Sequence, residues 1–128
     1  MIYISSRVKH AELWRAYRDA GWPIISTWIN QAGPTPHWLN IQSEIAQCQV
    51  LLLYVVENDF PLKGALVEVG MALALNKTVV ACAPGVQLEA ESLRPLGSWL
   101  LHPRVYQEPN PVLAWSYAAD IAEGRIEA

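Results

Sequence analysis

One carboxylate stands out by its surroundings. From Gly64 to Leu75 the chain reads GALVEVGMALAL, and Glu68 is the only charged residue in it. A carboxylate among apolar neighbours is costly unless it is paired, hydrogen-bonded or protonated. The pattern predicts a buried helix over 64–75 that follows the most apolar strand of the chain, with Glu68 in its first or second turn. Two placements are open: a narrow wet edge of the helix, or the ligand-binding edge of the sheet. In the second, the carboxylate can stabilise or covalently capture an electron-poor centre. Gly64 and Gly70 flank it, and a glycine inside a helix costs about 1 kcal/mol relative to alanine. Close approach of a ligand or close helix-on-sheet packing would each account for that cost.

Other side chains could complete a site. Trp28 and Asn30, in the run Ser26 to Asn30, suit stacking and edge recognition of a base, or ordinary packing. Asp59 lies in the polar turn ahead of Glu68 and is either a second acid or a simple turn residue. Arg7, Lys9, His10 and Lys63 could hold an anion as point charges or a fork, or stay solvated. No metal site is expected, because His10, His37 and His102 are scattered and Cys48 and Cys82 have no paired spacing. There is no GxGxxG motif, no P-loop and no nucleophile elbow.

The elements that must position these groups alternate. Residues 1–5 (MIYIS) read as a short buried strand, followed by a helical stripe of Leu13, Ala16, Tyr17 and Ala20 with Gly21 as its cap. Pro23 to Ser26 reads as a second strand, and 27–36, with Gly33 and Pro34, as loop. Trp38, Ile41 and Ile45 mark another helix, and Val50 to Val56 a strand covered on both faces. Asn76-Lys77 closes the Glu68 helix, and Thr78 to Ala83 is the next strand. A short helix broken by Pro95 is expected near 93–101, then a strand at Val105-Tyr106 and a last helix with Val112, Trp115, Ala119 and Ala122 inward. Strand and helix in alternation predict a doubly wound parallel α/β sheet of about five strands, in flavodoxin-like (Rossmann-like) order. Ligands in such sheets bind beyond the carboxyl ends of the strands. That rule selects the loops Ser5 to His10, Thr27 to Pro36 and Glu57 to Gly64.

Composition sets the frame. The 128 residues are 52% hydrophobic and 16% charged, which suits one domain with a real core and excludes disorder. A net charge of -3 argues against a duplex-DNA clamp or a polybasic membrane surface. No apolar run reaches the ~18 residues of a membrane span, and no secretory leader precedes Arg7 and Lys9. A cytoplasmic location and buried free thiols are expected. Six tryptophans are too many to be fully buried, so some should line a cleft or a subunit contact.

The segment Lys63-Gly64-Ala65-Leu66-Val67-Glu68-Val69-Gly70-Met71-Ala72, then Asn76-Lys77 and a strand, resembles the signature of the nucleoside 2-deoxyribosyltransferase-like superfamily. That group includes 2'-deoxynucleoside 5'-monophosphate N-glycosidases. The opening Ile2-Tyr3-Ile4-Ser5-Ser6 is similar to the family's first strand, and the resemblance spans roughly residues 1–83. It implies that Glu68 is a nucleophile at the anomeric carbon, with Tyr3 orienting carboxylate or sugar. The family's monophosphate hydrolases present small hydroxyl residues and glycines to the phosphate, whereas this chain has Leu62 and Lys63 in the corresponding loop and Arg7, Lys9 and His10 where the family has a glycine-rich turn; Ser5, Ser6, Arg7, Lys63 and Gly64 are expected to contact substrate. The family's usual aspartate at the start of the third strand is matched by about Gln49, which cannot ionise; Asp59 could substitute. The resemblance implies a nucleoside or nucleotide substrate, hydrolysis or base exchange, no cofactor, no nucleic-acid partner and a homodimer or higher homo-oligomer. A non-catalytic nucleotide-binding module is the rival reading, favoured by Gln49.

Overall fold

A computed structural model describes residues 1–31 and 36–126. Among these residues four strands form one parallel sheet: β1 (Ile2–Ser6), β2 (Val50–Tyr54), β3 (Thr78–Cys82) and β4 (Val105–Gln107), in spatial order β1-β2-β3-β4. Tyr3 pairs with Leu51 and Ser5 with Leu53 across the first ladder. Helices α1 (Ala11–Asp19) and α4 (Pro111–Ala122) cover one face, and α2 (Trp38–Gln47) and α3 (Gly64–Ala74) the other.

The expected fifth strand is reduced to a single bridge, Ile24 to Ile2, on the outer edge of β1. Counted in, it gives the flavodoxin-like order 2-1-3-4-5. The reason for its brevity is local. Pro23 offers no N–H, and the Ile4 N–H turns to the Ser26 hydroxyl (2.6 Å) instead of a backbone carbonyl.

The two-residue period of the strands sorts the core. Ile2, Ile4, Val50, Leu52, Val80 and Cys82 face α1 and α4. Tyr3, Leu51, Leu53, Val79 and Ala81 face α2 and α3. Both cysteines are free and buried. Among the described residues no helix is long and apolar enough to cross a membrane.

Several local expectations change. α1 buries Ala11 and Trp14, not Leu13, which is exposed; α4 buries Ala114, Trp115, Ala118 and Ile121 while Val112 lies in water. In both helices the stripe is rotated by about one position, because Trp14 and Trp115, tilted against each other with ring centroids 5.2 Å apart, set the facing. The short helix near 93–101 is only a 3-10 turn, Ser98–Leu101. A second 3-10 turn, Thr27–Asn30, occupies the start of the expected loop; Gly33 and Pro34 lie outside the described residues. Gly21 has φ 107°, as a residue just past a helix end requires. Gly70 does not mark a close approach, since a Cβ there would meet nothing within 4 Å.

Candidate active site

Strand periodicity puts Tyr3 and Ser5 on the same face of β1, one above the other, beneath α3. Glu68, in the second turn of α3, points down between them. The Tyr3 hydroxyl donates to Glu68 Oε2 at 2.8 Å, and the Ser5 hydroxyl donates to Oε1 at 2.7 Å. Tyr3 and Ser5 are fully buried, and Glu68 is 8% exposed. No ion pair reaches Glu68 among the described residues. Burial drives its carboxyl above the usual carboxylate range. The Ser5 and Tyr3 hydroxyls pull the other way without cancelling it, and the Glu44 charge adds to the rise. Burial and the Glu68 carboxylate push the Tyr3 phenol far up, so Tyr3 remains a proton donor.

Glu68 closes the floor of a cleft of about 490 Å³ at the carboxyl edge of the sheet. The three loops selected by the topology rule all line it. Ser6 ends β1 and Arg7, Val8 and Lys9 follow it, Trp28 and Gln31 come from the turn after the Ile24 bridge, and Pro61, Leu62 and Lys63 from the loop after β2 that leads into Gly64, the first residue of α3. α2 adds Trp38 and Ile41. Two of the six tryptophans therefore wall the cleft, while Trp14 and Trp115 are buried in the opposite core. The cleft is apolar with a cationic rim and one acid at its base. Such a shape suits a flat apolar ring next to a polar, electron-poor carbon.

Asp59 does not join it. Its side chain is fully buried, held by Lys9 Nζ at 3.0 Å, His10 Nε2 at 3.0 Å and the Val56 N–H at 2.8 Å. Burial alone would raise its carboxyl; the Val56 N–H, Lys9 and His10 outweigh that and hold it below the usual range. Asp59 thus ties the loop after β1 to the loop after β2. Arg7 reinforces the tie by donating to the Asp59 and Pro61 carbonyls, both at 3.3 Å.

Two other expected contacts are also absent. Asn30 is exposed outside the cleft, where its side chain accepts from Arg18 Nη1 at 2.6 Å. Gln49 precedes β2 at the amino edge of the sheet and binds the Met1 ammonium group. A strand start and a strand end stand on opposite edges, so Gln49 cannot reach Glu68.

One buried acid escaped the sequence reading. Glu44 on α2 is 8% exposed and accepts from the Thr27 N–H at 3.1 Å and the Thr27 hydroxyl at 2.6 Å. The signal was present: Glu44 sits three residues after Ile41 and four before Cys48, on the buried stripe of its helix. Among the described residues no cluster of His, Cys, Asp or Glu could hold a metal ion.

Comparison with known proteins locates the fold. No described protein family matches the sequence, and no curated protein matches it. Among solved structures the chain is similar to a 2-desoxiribosyltransferase from Leishmania mexicana, at a TM-score of 0.58 and 19% identity. The match covers 93% of this chain and 96% of the other. The likeness is one of fold: a parallel sheet with helices on both faces over nearly the whole length of both chains.

Proposed function

We propose that the protein cleaves or transfers the N-glycosidic bond of a deoxynucleoside or deoxynucleotide, with Glu68 as nucleophile. The observation that carries this reading is the Glu68 carboxylate itself: buried, unpaired by any cation among the described residues, hydrogen-bonded through both oxygens, and set at the base of an open cleft. The similarity in fold to a 2-desoxiribosyltransferase supports it.

The chemistry follows from the geometry. One Glu68 oxygen attacks the anomeric carbon as the bond from that carbon to the base nitrogen breaks. The bonding pair leaves with the base, and the sugar becomes a glycosyl ester of Glu68. The departing base takes its proton from water, because Glu68 is the one acid lining the cleft among the described residues. Water then releases the sugar, or a second base does, and Glu68 is restored. Tyr3 and Ser5 hold the carboxylate in place and keep their protons throughout. Trp28 and Trp38 offer the base its apolar walls, and Arg7 and Lys63 stand where a 5'-phosphate would bring negative charge.

A second reading, a binding module without catalysis, draws on the same lack of a second acid in the cleft. One experiment separates the two. The protein is incubated with the four deoxynucleosides and their 5'-monophosphates, and free base is followed by chromatography. Base release that falls about a thousandfold in Glu68→Gln supports the glycosidic reading. Thermal stabilisation by a nucleotide without base release supports the binder.

A further inference from the structure

We infer that Glu44 is a positioning residue for the cleft: it clamps Thr27 and thereby fixes Trp28, which lines the same cleft as Glu68. The kinetic part of this inference rests on the proposed glycosidic reaction; the structural part does not.

A carboxylate withdrawn from water needs partners, and Glu44 spends both oxygens on one residue. Oε1 takes the Thr27 N–H and Oε2 the Thr27 hydroxyl. Thr27 opens the 3-10 turn Thr27–Asn30, so the fork fixes the backbone orientation from which Trp28 departs. The indole then spans the edge of the sheet. Its Nε1–H donates to the Ile4 carbonyl at 2.7 Å, and its ring packs against the cores on both faces. Further along the same turn, Arg15 Nη1 donates to the Ile29 carbonyl at 2.6 Å. The turn is therefore held from α1 at its end and from α2 at its start, and Glu44 is the α2 anchor. Arg15 and the Trp28 indole already tie the turn to α1 and β1. A double hydrogen bond to a single threonine at the entrance to the turn instead fixes direction, and direction is what a stacking wall requires.

The test uses Thr27→Val, which keeps shape and removes the hydroxyl, beside Glu44→Ala, with Thr27→Ser as the conservative control. In ¹⁵N-labelled protein the Trp28 indole signal is assigned by its loss in Trp28→Phe, and its exchange with D₂O is timed. The expected result is about tenfold faster indole exchange in Thr27→Val and Glu44→Ala, with near-wild-type exchange in Thr27→Ser. With whichever deoxynucleoside or monophosphate the protein turns over, KM rises about tenfold while kcat stays within about twofold. Unchanged Trp28 exchange in Thr27→Val overturns the inference, as does a fall in kcat at constant KM. Should Glu44→Ala not fold, Thr27→Val decides alone. Should no substrate turn over, the glycosidic reading fails while indole exchange still decides the role of Glu44.

Discussion

Asp59 and Glu68 are both acids buried near the carboxyl edge of the sheet, nine residues apart, and the protein treats them in opposite ways. Asp59 is met by an ammonium group, an imidazole and a backbone N–H, so its charge is satisfied and its acidity strengthened. Glu68 is met by two hydroxyls and no cation among the described residues, so its charge is held in place but left costly. A fully satisfied carboxylate is a strut. One that is oriented yet under-compensated retains the capacity to bond to something else. The difference also explains why the turn aspartate cannot stand in as an acid: its oxygens are already committed.

The contrast can be broken by experiment. The largest effect on stability is expected for Asp59→Asn, a loss of about 2 kcal/mol at neutral pH in denaturant titration, because charged hydrogen bonds to a buried group vanish. Its sign fixes the pH window. The native carboxyl of Asp59 is depressed, so the stabilisation is present above the ordinary carboxylate range and disappears as pH falls through the native value. The gap between wild type and Asp59→Asn should therefore close in acid, and a gap independent of pH would show that charge is not what Asp59 contributes.

Next in size is Tyr3→Phe, which removes a donor from the ionised Glu68. Base release at pH 7 should fall about tenfold. The acid limb of the rate profile should move to higher pH, since losing that hydrogen bond lifts Glu68 further. A limb that stays put would mean that Tyr3 does not act through the carboxylate. Smaller again, and opposite to Asp59→Asn, Glu68→Gln should raise stability by about 1 kcal/mol at neutral pH. That gain appears as pH rises above the ordinary carboxylate range and is complete above the raised native value, because only there is the wild-type charge present. Thermal melts at pH 4 and pH 8 measure it, and equal or lower stability of the variant at pH 8 would count against an under-compensated Glu68. The smallest effect belongs to Gln49→Ala, at the far edge of the sheet. It should change base release by less than about twofold.

Much of the site was legible because it follows simple periods. The alternation of β1 sends Tyr3 and Ser5 to one face, and a lone acid in an apolar helix marks Glu68. Gln49 misled although the sequence already starts the strand at Val50: likeness in sequence did not tell that this start lies on the edge of the sheet away from the Glu68 cleft. Asn30 misled for a related reason. In a 3-10 turn, successive side chains diverge, so Trp28 enters the cleft and Asn30 leaves it toward Arg18.

The amino-acid sequence by itself determined the layered α/β architecture and the carboxylate at its edge. Both follow from local regularities: which residues alternate, which runs are covered on two sides, where a charge interrupts an apolar helix. Apart from Tyr3, which the resemblance already set beside Glu68, only the tertiary structure decided the partners of the acids. The union of Asp59 with Lys9 and His10, of Glu44 with Thr27, and of Glu68 with Tyr3 and Ser5 joins residues from separate elements. A carboxylate's acidity and its freedom to react are set by its burial and by the few atoms within hydrogen-bonding distance, and both are chosen by packing, not by neighbours along the chain.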